Sequence, residues 1–148
     1  MTSFFPDLNV WLALSVAGHS HNSEAWRWFD FIAGDVRLVF CRYTQIGFLR
    51  LLTNSAVMGK ETLTLQKAWT IYENWLQDTR VDYYPEPRGM DLAFREATAP
   101  FAAQTASKWI GDCYLLAYAK QSDATLVTFD RALLRLAKQQ GYPAITPL

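Results

Sequence analysis

Residues 124–141 read ATLVTFDRALLRLAKQQG, a strand pattern followed by a helix pattern. The apolar and β-branched run Ala124–Thr128 predicts a strand. Asp130–Gln140 predicts a helix, because its leucines and alanines recur on one helical face, and Gly141 marks its end. An acidic side chain, that of Asp130, therefore stands where the strand passes into the helix.

The amino terminus repeats this order. Thr2–Phe5 predicts a short strand closed by Pro6, Asp7 follows at once, and Leu8–Val16 predicts a helix. Ligand sites of parallel sheets lie beyond the carboxyl ends of the strands. We therefore expect Asp7 and Asp130 to meet at the same edge of one sheet.

Strand and helix patterns alternate between these two units. The further predicted strands are Val36–Cys41, Arg80–Tyr84 and a final edge strand, Ala144–Thr146. The further predicted helices are His21–Ala33, Thr44–Asn54, Leu63–Asp78, Asp91–Thr98 and Trp109–Gln121, whereas Ala99–Lys108 has no clear pattern. This alternation predicts an α/β protein, a three-layer α/β/α domain with a central and mainly parallel sheet.

Composition limits the class of protein. The chain has 148 residues, 51% of them hydrophobic, which predicts one domain over residues 1–148 with a substantial core. Fourteen basic residues balance fourteen acidic ones, so any contact with nucleic acid would depend on local clusters of arginine and lysine. Cys41 and Cys113 lack the spacing of a metal site, and no apolar run is long enough for a membrane span. We expect a cytoplasmic protein.

A third acidic residue, Asp112, lies near the start of the predicted helix Trp109–Gln121. It shares a face with Leu115, Leu116 and Ala119, so its carboxylate should point inward. Carboxylates that converge repel one another and lose solvation, and a hard divalent cation is their usual counter-charge. Asp7, Asp112 and Asp130 together therefore predict a site for Mg²⁺ or Mn²⁺.

Each of these acids also has a purely structural explanation. Asp130 could cap the last helix, Asp7 could begin the first helix beside Asn9, and Asp112 could be a favourable charge in a first turn. These alternatives stay open for each residue taken singly. The joint order and placement of the three acids favour the functional interpretation.

Four segments resemble the PIN-domain family and, within it, the VapC toxins of bacterial toxin–antitoxin systems. They are FPDLN at 5–9, CRYTQIGFLRLLTN at 41–54, GDCYLLA at 111–117 and LVTFD at 126–130, and the resemblance spans essentially the whole chain. His19, His21, Ala25 and Trp26 also look like the family's second-helix pattern. The resemblance implies that Asp7, Asp112 and Asp130 bind one or two Mg²⁺ or Mn²⁺ ions, with Asn9 supporting the first acid and Thr128 the last.

The same resemblance implies a function. It implies a metal-dependent endoribonuclease that hydrolyses phosphodiester bonds in RNA, of the tRNA or rRNA class, and leaves 5′-phosphate and 3′-hydroxyl ends. It also implies a homodimer that is neutralised by a cognate VapB-like antitoxin, whose apolar helix would lie in an aromatic-lined groove.

Gln45 departs from the family pattern, because many members carry a glutamate at about this position. A neutral amide would weaken metal affinity, leave a second metal to be recruited with the RNA phosphate, or accompany loss of activity. Arg42 and Arg50 flank Gln45 and could hold phosphate or pair with an acid, and a simple salt bridge explains them equally well. The alternative function is a catalytically degenerate PIN domain that binds RNA or protein. We assign no catalytic role to His19 or His21.

Overall fold

The sheet is parallel throughout. A computed structural model of the protein describes residues 2–147, so Met1 and Leu148 of the predicted domain lie outside it. The strands are β1 (Ser3–Pro6), β2 (Arg37–Phe40), β3 (Val81–Tyr83), β4 (Thr125–Val127) and β5 (Ala144–Ile145). They lie side by side in the order β3-β2-β1-β4-β5, with every neighbouring pair parallel. The predicted strands and their parallel arrangement are confirmed.

Helices cover both faces of the sheet and complete the predicted three layers. Successive strand residues point to opposite faces, so Val39 and Leu126 pack on one side while Phe40 and Val127 pack on the other. The helices are α1 (Leu8–Ser15), α2 (Asn22–Phe31), α3 (Arg42–Leu52), α4 (Ser55–Met58), α5 (Leu65–Leu76), α6 (Met90–Thr98), α7 (Ile110–Gln121) and α8 (Arg131–Gln140). One core contains α6, α7 and α8, and the other contains α1, α2, α3 and α5.

The register of β1 against β4 positions the candidate site. Phe5 lies opposite Leu126 and Pro6 opposite Val127, so the two strands end level with each other. The Asp7 backbone N–H extends the ladder by donating to the Val127 carbonyl at 2.9 Å. The residues that follow the two strands therefore emerge side by side, at the edge of the sheet where parallel α/β proteins bind ligands.

Short helical segments were not predicted. They are α4 and three 3₁₀ turns, Gly59–Glu61, Ala99–Phe101 and Ser107–Trp109. The last two occupy the stretch that had no clear sequence pattern. Predicted helix ends also differ from the observed ends by up to two residues. For example, α5 begins at Leu65 rather than Leu63, because the Thr64 side chain caps it by accepting from the Lys67 N–H at 3.3 Å. No helix within residues 2–147 has the length and apolarity needed to cross a membrane.

Candidate active site

Asp7 ends β1 and starts α1. Its backbone is extended, and its Oδ1 accepts from the N–H groups of Asn9 at 3.0 Å and Val10 at 3.2 Å, which caps the helix. The side chain is buried, with only 5% of its surface exposed. Asp7 is therefore a helix cap, as one interpretation of the sequence proposed, but capping uses only one of its two oxygens.

Thr128 holds the second oxygen. Its hydroxyl donates to Asp7 Oδ2 in a short hydrogen bond, and its Oγ1 accepts from the Asp130 N–H at 3.0 Å. The Thr128 side chain is fully buried. It thus joins the ends of β1 and β4 and fixes the backbone of Asp130 relative to the carboxylate of Asp7.

The environment of Asp7 disfavours its charged form. Burial raises the pKa of the Asp7 carboxyl from 3.8 to about 6, although the bonds from Thr128, Val10 and Asn9 each act in the opposite direction. The negative charge of Asp130 adds a further upward contribution. The protein therefore keeps a carboxylate where it is costly to ionise, and such perturbed groups are concentrated at functional sites.

Asp130 caps α8 in the same manner as Asp7 caps α1. Its Oδ1 accepts from the N–H groups of Ala132 at 2.9 Å and Leu133 at 3.1 Å. Within residues 2–147, Oδ2 accepts no hydrogen bond, and the side chain is exposed. Capping therefore leaves one oxygen of each carboxylate out of the helix cap: Asp7 Oδ2 accepts from Thr128, and Asp130 Oδ2 accepts no hydrogen bond in the described chain.

Asp112 lies in the first turn of α7 and is half-buried. Burial raises the pKa of its carboxyl, and the charge of Asp130 raises it further. Asp130 therefore acts electrostatically on both Asp7 and Asp112. The three acids come from three different helix starts, and Asp130 is the one that acts on both of the others.

The donor chemistry of these residues fits a hard cation. Carboxylate oxygens are the ligands that Mg²⁺ and Mn²⁺ prefer, and mutual repulsion of the acids would be relieved by a positive ion. Yet within residues 2–147 no three His, Cys, Asp or Glu side chains are already grouped closely enough to hold a metal. Joint ligation by Asp7, Asp112 and Asp130 would require their carboxylates to turn toward one another.

Gln45 is buried on α3 and pairs with an arginine. Arg42 Nη1 donates to Gln45 Oε1 at 2.5 Å, and the Arg42 guanidinium lies 4.9 Å from the centroid of the Tyr83 ring. Arg50 lies two turns further along α3 and is exposed. Neither arginine forms an ion pair with a carboxylate of the described chain. Both cations therefore keep charge that a phosphate could use.

Comparison with known families gives a direct result. Residues 4–139 match the family described as PIN domain. The chain belongs to the PIN-domain family. It is 38% identical over 130 residues to Ribonuclease VapC41 of Mycobacterium tuberculosis, which covers 85% of this chain and 88% of that protein. Ribonuclease VapC39 of the same organism is 28% identical over 127 residues, covering 86% and 88% of the two chains.

Solved structures share the fold of this PIN domain. The crystal structure of VapBC2 from Rickettsia felis, bound to a DNA fragment from their promoter, superposes with a TM-score of 0.66 at 11% identity and covers 98% of both chains. FitAcB from Neisseria gonorrhoeae gives a TM-score of 0.58 at 19% identity and covers 97% of both chains. At these identities the likeness establishes the PIN fold.

Asn9 contributes to the PIN-domain site through its backbone. Its N–H donates to Asp7, whereas its side chain is exposed. The contact of Asn9 with the first acid therefore comes from its main chain, and any residue but proline could provide it. The exposed amide remains available to a ligand.

An aromatic pair beside the acids was not predicted. The His21 ring stacks on Phe129 with 4.3 Å between centroids and 8° between planes, and Phe129 stands between Thr128 and Asp130. His21 is exposed, and its backbone N–H donates to His19 Nδ1 at 3.0 Å. The only signal in the sequence was the aromatic residue within the Thr128–Asp130 segment of this PIN domain, and its partner is far away along the chain.

Proposed function

We propose that this protein is a metal-dependent endoribonuclease toxin of the VapC kind, which hydrolyses phosphodiester bonds in RNA. One observation carries the proposal. A chain that is 38% identical to Ribonuclease VapC41 carries Asp7 just after β1 and Asp130 just after β4, two paired strands that end level, and the charge of Asp130 acts on both Asp7 and Asp112. Membership of the PIN-domain family and the resemblance to VapC toxins support the same activity.

Asp7, Asp112 and Asp130 would hold Mg²⁺ or Mn²⁺. When bound, such an ion would lower the pKa of an attacking water and stabilise charge on the leaving oxygen of the RNA phosphate. Asp130 Oδ2 accepts no hydrogen bond in the described chain, so it could bind an ion without breaking one. Asp7 Oδ1 and Oδ2 already accept bonds from main-chain N–H groups and from Thr128, so the approach of the three carboxylates would depend mainly on movement of the Asp112 and Asp130 side chains.

The remaining polar residues would position the substrate. Thr128 keeps Asp7 and Asp130 at a fixed relative position, because one hydroxyl contacts both residues. Arg42 and Arg50 carry charge not committed to a carboxylate of the described chain and would hold phosphate groups. Gln45 directs Arg42 by accepting from its Nη1.

We further propose the partners that a VapC toxin requires. The chain would act as one domain and as a homodimer on a tRNA or rRNA, and a VapB-like antitoxin would neutralise it. Large apolar side chains on the helical surface offer contact area for such partners, since Phe31, Leu92 and Ile110 each expose more than half of their surface.

Gln45 supports a second candidate function. Its amide, bonded to Arg42, occupies the position where many family members place a glutamate, so the site has less negative charge. A PIN domain that binds RNA or protein without cutting it would be consistent with this exchange. Such a binder would not need the acids, and its affinity for RNA should survive their neutralisation.

Cleavage of total small RNA by the purified chain with Mn²⁺ separates the two functions. Asp7→Asn and Asp112→Asn should abolish the cleavage, and EDTA should do the same. Asp123→Asn is the matched control, because Asp123 precedes β4 at the opposite edge of the sheet and asparagine tolerates its φ of 54°. Equal inactivity of the folded wild type and both variants would contradict the nuclease and favour the binder.

A further inference from the structure

A cavity of about 450 Å³ lies against α3. Leu8 and one face of α3 line it, with Tyr43, Ile46, Gly47 and Arg50 at intervals of three and four residues. Gly47 brings the two walls close together, since a Cβ there would lie 2.6 Å from both Leu8 methyl carbons. The cavity is therefore mostly apolar, with a cation on one wall.

The cavity borders the candidate active site on two sides. Leu8 directly follows Asp7 in the chain. Tyr43 reaches the start of α7, where a Cβ on Gly111 would lie 2.5 Å from the Tyr43 hydroxyl oxygen, and Gly111 directly precedes Asp112. A group bound in the cavity would thus lie next to the phosphate that the acids act upon.

The Tyr43 ring is held in place and keeps exposed surface. Its centroid lies 5.1 Å from that of Tyr114 with 31° between the planes, and the Tyr114 hydroxyl donates to Glu86 at 3.0 Å. Tyr43 remains 40% exposed and Ile46 48% exposed. A fixed, exposed aromatic ring is suited to stacking with a nucleobase, and proteins commonly bind single-stranded RNA through such stacking.

Charge indicates which kind of ligand fits. Arg50 lies seven residues from Tyr43, a rise of about 10 Å along the helix. No carboxylate of the described chain pairs with it. An apolar protein surface seated here would leave that charge without a counter-ion, whereas an RNA backbone would supply one. The three acids repel phosphate, so a nearby cation also offsets that repulsion.

We propose that this cavity is a subsite for one unpaired nucleotide of RNA next to the scissile phosphate. The base lies against Tyr43 and Ile46, and a backbone phosphate pairs with Arg50. The inference rests on the proposed function for its substrate class. It adds that the chain selects unpaired RNA through α3, at a place separate from the acids that cut it.

Equilibrium binding of an unstructured eight-nucleotide RNA, in EDTA and at several salt concentrations, tests the subsite without cleavage. Tyr43→Leu should weaken binding about tenfold, and Tyr43→Phe should bind as the wild type does. Arg50→Gln should weaken binding and reduce the slope of log affinity against log salt by about 0.7, the value for one phosphate of a single strand. The same oligonucleotide paired with its complement should bind more weakly, and Tyr43→Leu should change the affinity for this duplex little.

Two control variants match these changes. Trp69→Leu removes an equally exposed aromatic ring from α5, and Arg135→Gln removes an exposed arginine from α8. Both should bind RNA as the wild type does. Thermal unfolding of each variant verifies folding, and Arg50→Gln keeps the test valid if Tyr43→Leu is unstable, because Arg50 is exposed.

Three results would overturn the subsite: failure of the wild type to bind the oligonucleotide, unchanged binding by Tyr43→Leu and Arg50→Gln, or loss of self-association that accounts for the whole defect. The last, seen by sedimentation, would make this face an interface between copies of the chain. The proposed nuclease activity is tested separately. If the wild type binds RNA but does not cut it with Mn²⁺, the nuclease proposal is wrong, and the binding measurements still test the subsite.

Discussion

Asp7 lowers the stability of the protein when it is ionised. Its carboxyl pKa is 3.8 ordinarily and about 6 in the fold, because the group is buried. Between these values the folded chain keeps a proton that the unfolded chain has released, so stability falls as the pH rises from about 4 to 6. The cost above pH 6 is about 3 kcal/mol, from roughly two pKa units.

Asp7→Asn should therefore stabilise the metal-free protein at pH 8 by up to about 3 kcal/mol while abolishing cleavage. The gain should shrink as the pH is lowered and vanish below about pH 4, where the wild-type carboxyl is neutral as well. Urea unfolding at a series of pH values in EDTA measures this. A variant less stable than the wild type at pH 8 would show that the carboxylate is not destabilising.

Thr128 should tune the same group. Thr128→Val removes the hydroxyl that donates to Asp7 and accepts from the Asp130 N–H. Loss of the donor should raise the pKa of Asp7 further and lower stability above pH 6 by about 1–3 kcal/mol. Thr128→Ser keeps the hydroxyl and should restore most of the stability and the cleavage rate. Equal pH profiles for valine and threonine would argue that the bond to Asp7 contributes nothing.

At the residue scale, sequence reasoning predicted where Asp7 and Asp130 lie but not all of their neighbours. Strand–acid–helix order placed Asp7 and Asp130 together, because parallel strands end at one edge. It left open whether each acid caps a helix, since capping and metal binding favour the same residue types. The stacking of His21 on Phe129 depends on how the loop after α1 folds back, which no local pattern encodes.

Helix α3 begins at a tight hydrogen-bonded turn that supports the residues on its face. Thr44 is fully buried, and its Oγ1 accepts from the Cys41 N–H at 3.0 Å. Thr44→Val keeps the shape but leaves that N–H without a partner, so it should lower the free energy of unfolding by about 1–3 kcal/mol. Thr44→Ser should cost less. Chemical denaturation measures both, and an unchanged valine variant would mean that the turn finds another acceptor.

At the element scale, long periodic segments were predictable and short ones were not. The residues of α5 and α8 repeat on one face over three turns, which identifies a helix before any contact is known. Helix α4 has four residues, Ser55–Met58, too few for such a repeat, and it is started by the Asn54 side chain accepting from the Ala56 N–H. The 3₁₀ turns Ala99–Phe101 and Ser107–Trp109 have three residues each, which is also too few for a repeat.

The whole molecule should respond to metal. If Asp7, Asp112 and Asp130 bind Mn²⁺ in the folded chain alone, Mn²⁺ at a hundred times its dissociation constant adds about 2.7 kcal/mol. For a chain of this size that raises Tm by roughly 5–10 °C. Asp112→Asn should lose most of the shift and Asp123→Asn should keep it. An identical shift in all three proteins would point to metal bound elsewhere.

The order of the strands was the part of the architecture that the sequence left undetermined. Alternating patterns indicated parallel strands and an edge position for Ala144–Thr146, both of which the structure has. No local sequence pattern indicates that β1 lies in the centre of the sheet, between β2 and β4. That order results from packing two helical layers against opposite faces, a property of contacts far apart in the chain.

The central position of β1 has a consequence for how the protein is made. Asp7 is synthesised 121 residues before Thr128, which holds its carboxylate. The pairing of β1 with β4 has the same separation along the chain. A nascent or truncated polypeptide that stops before β4 lacks half of the site, so the proposed nuclease activity would appear only after β4 has been synthesised.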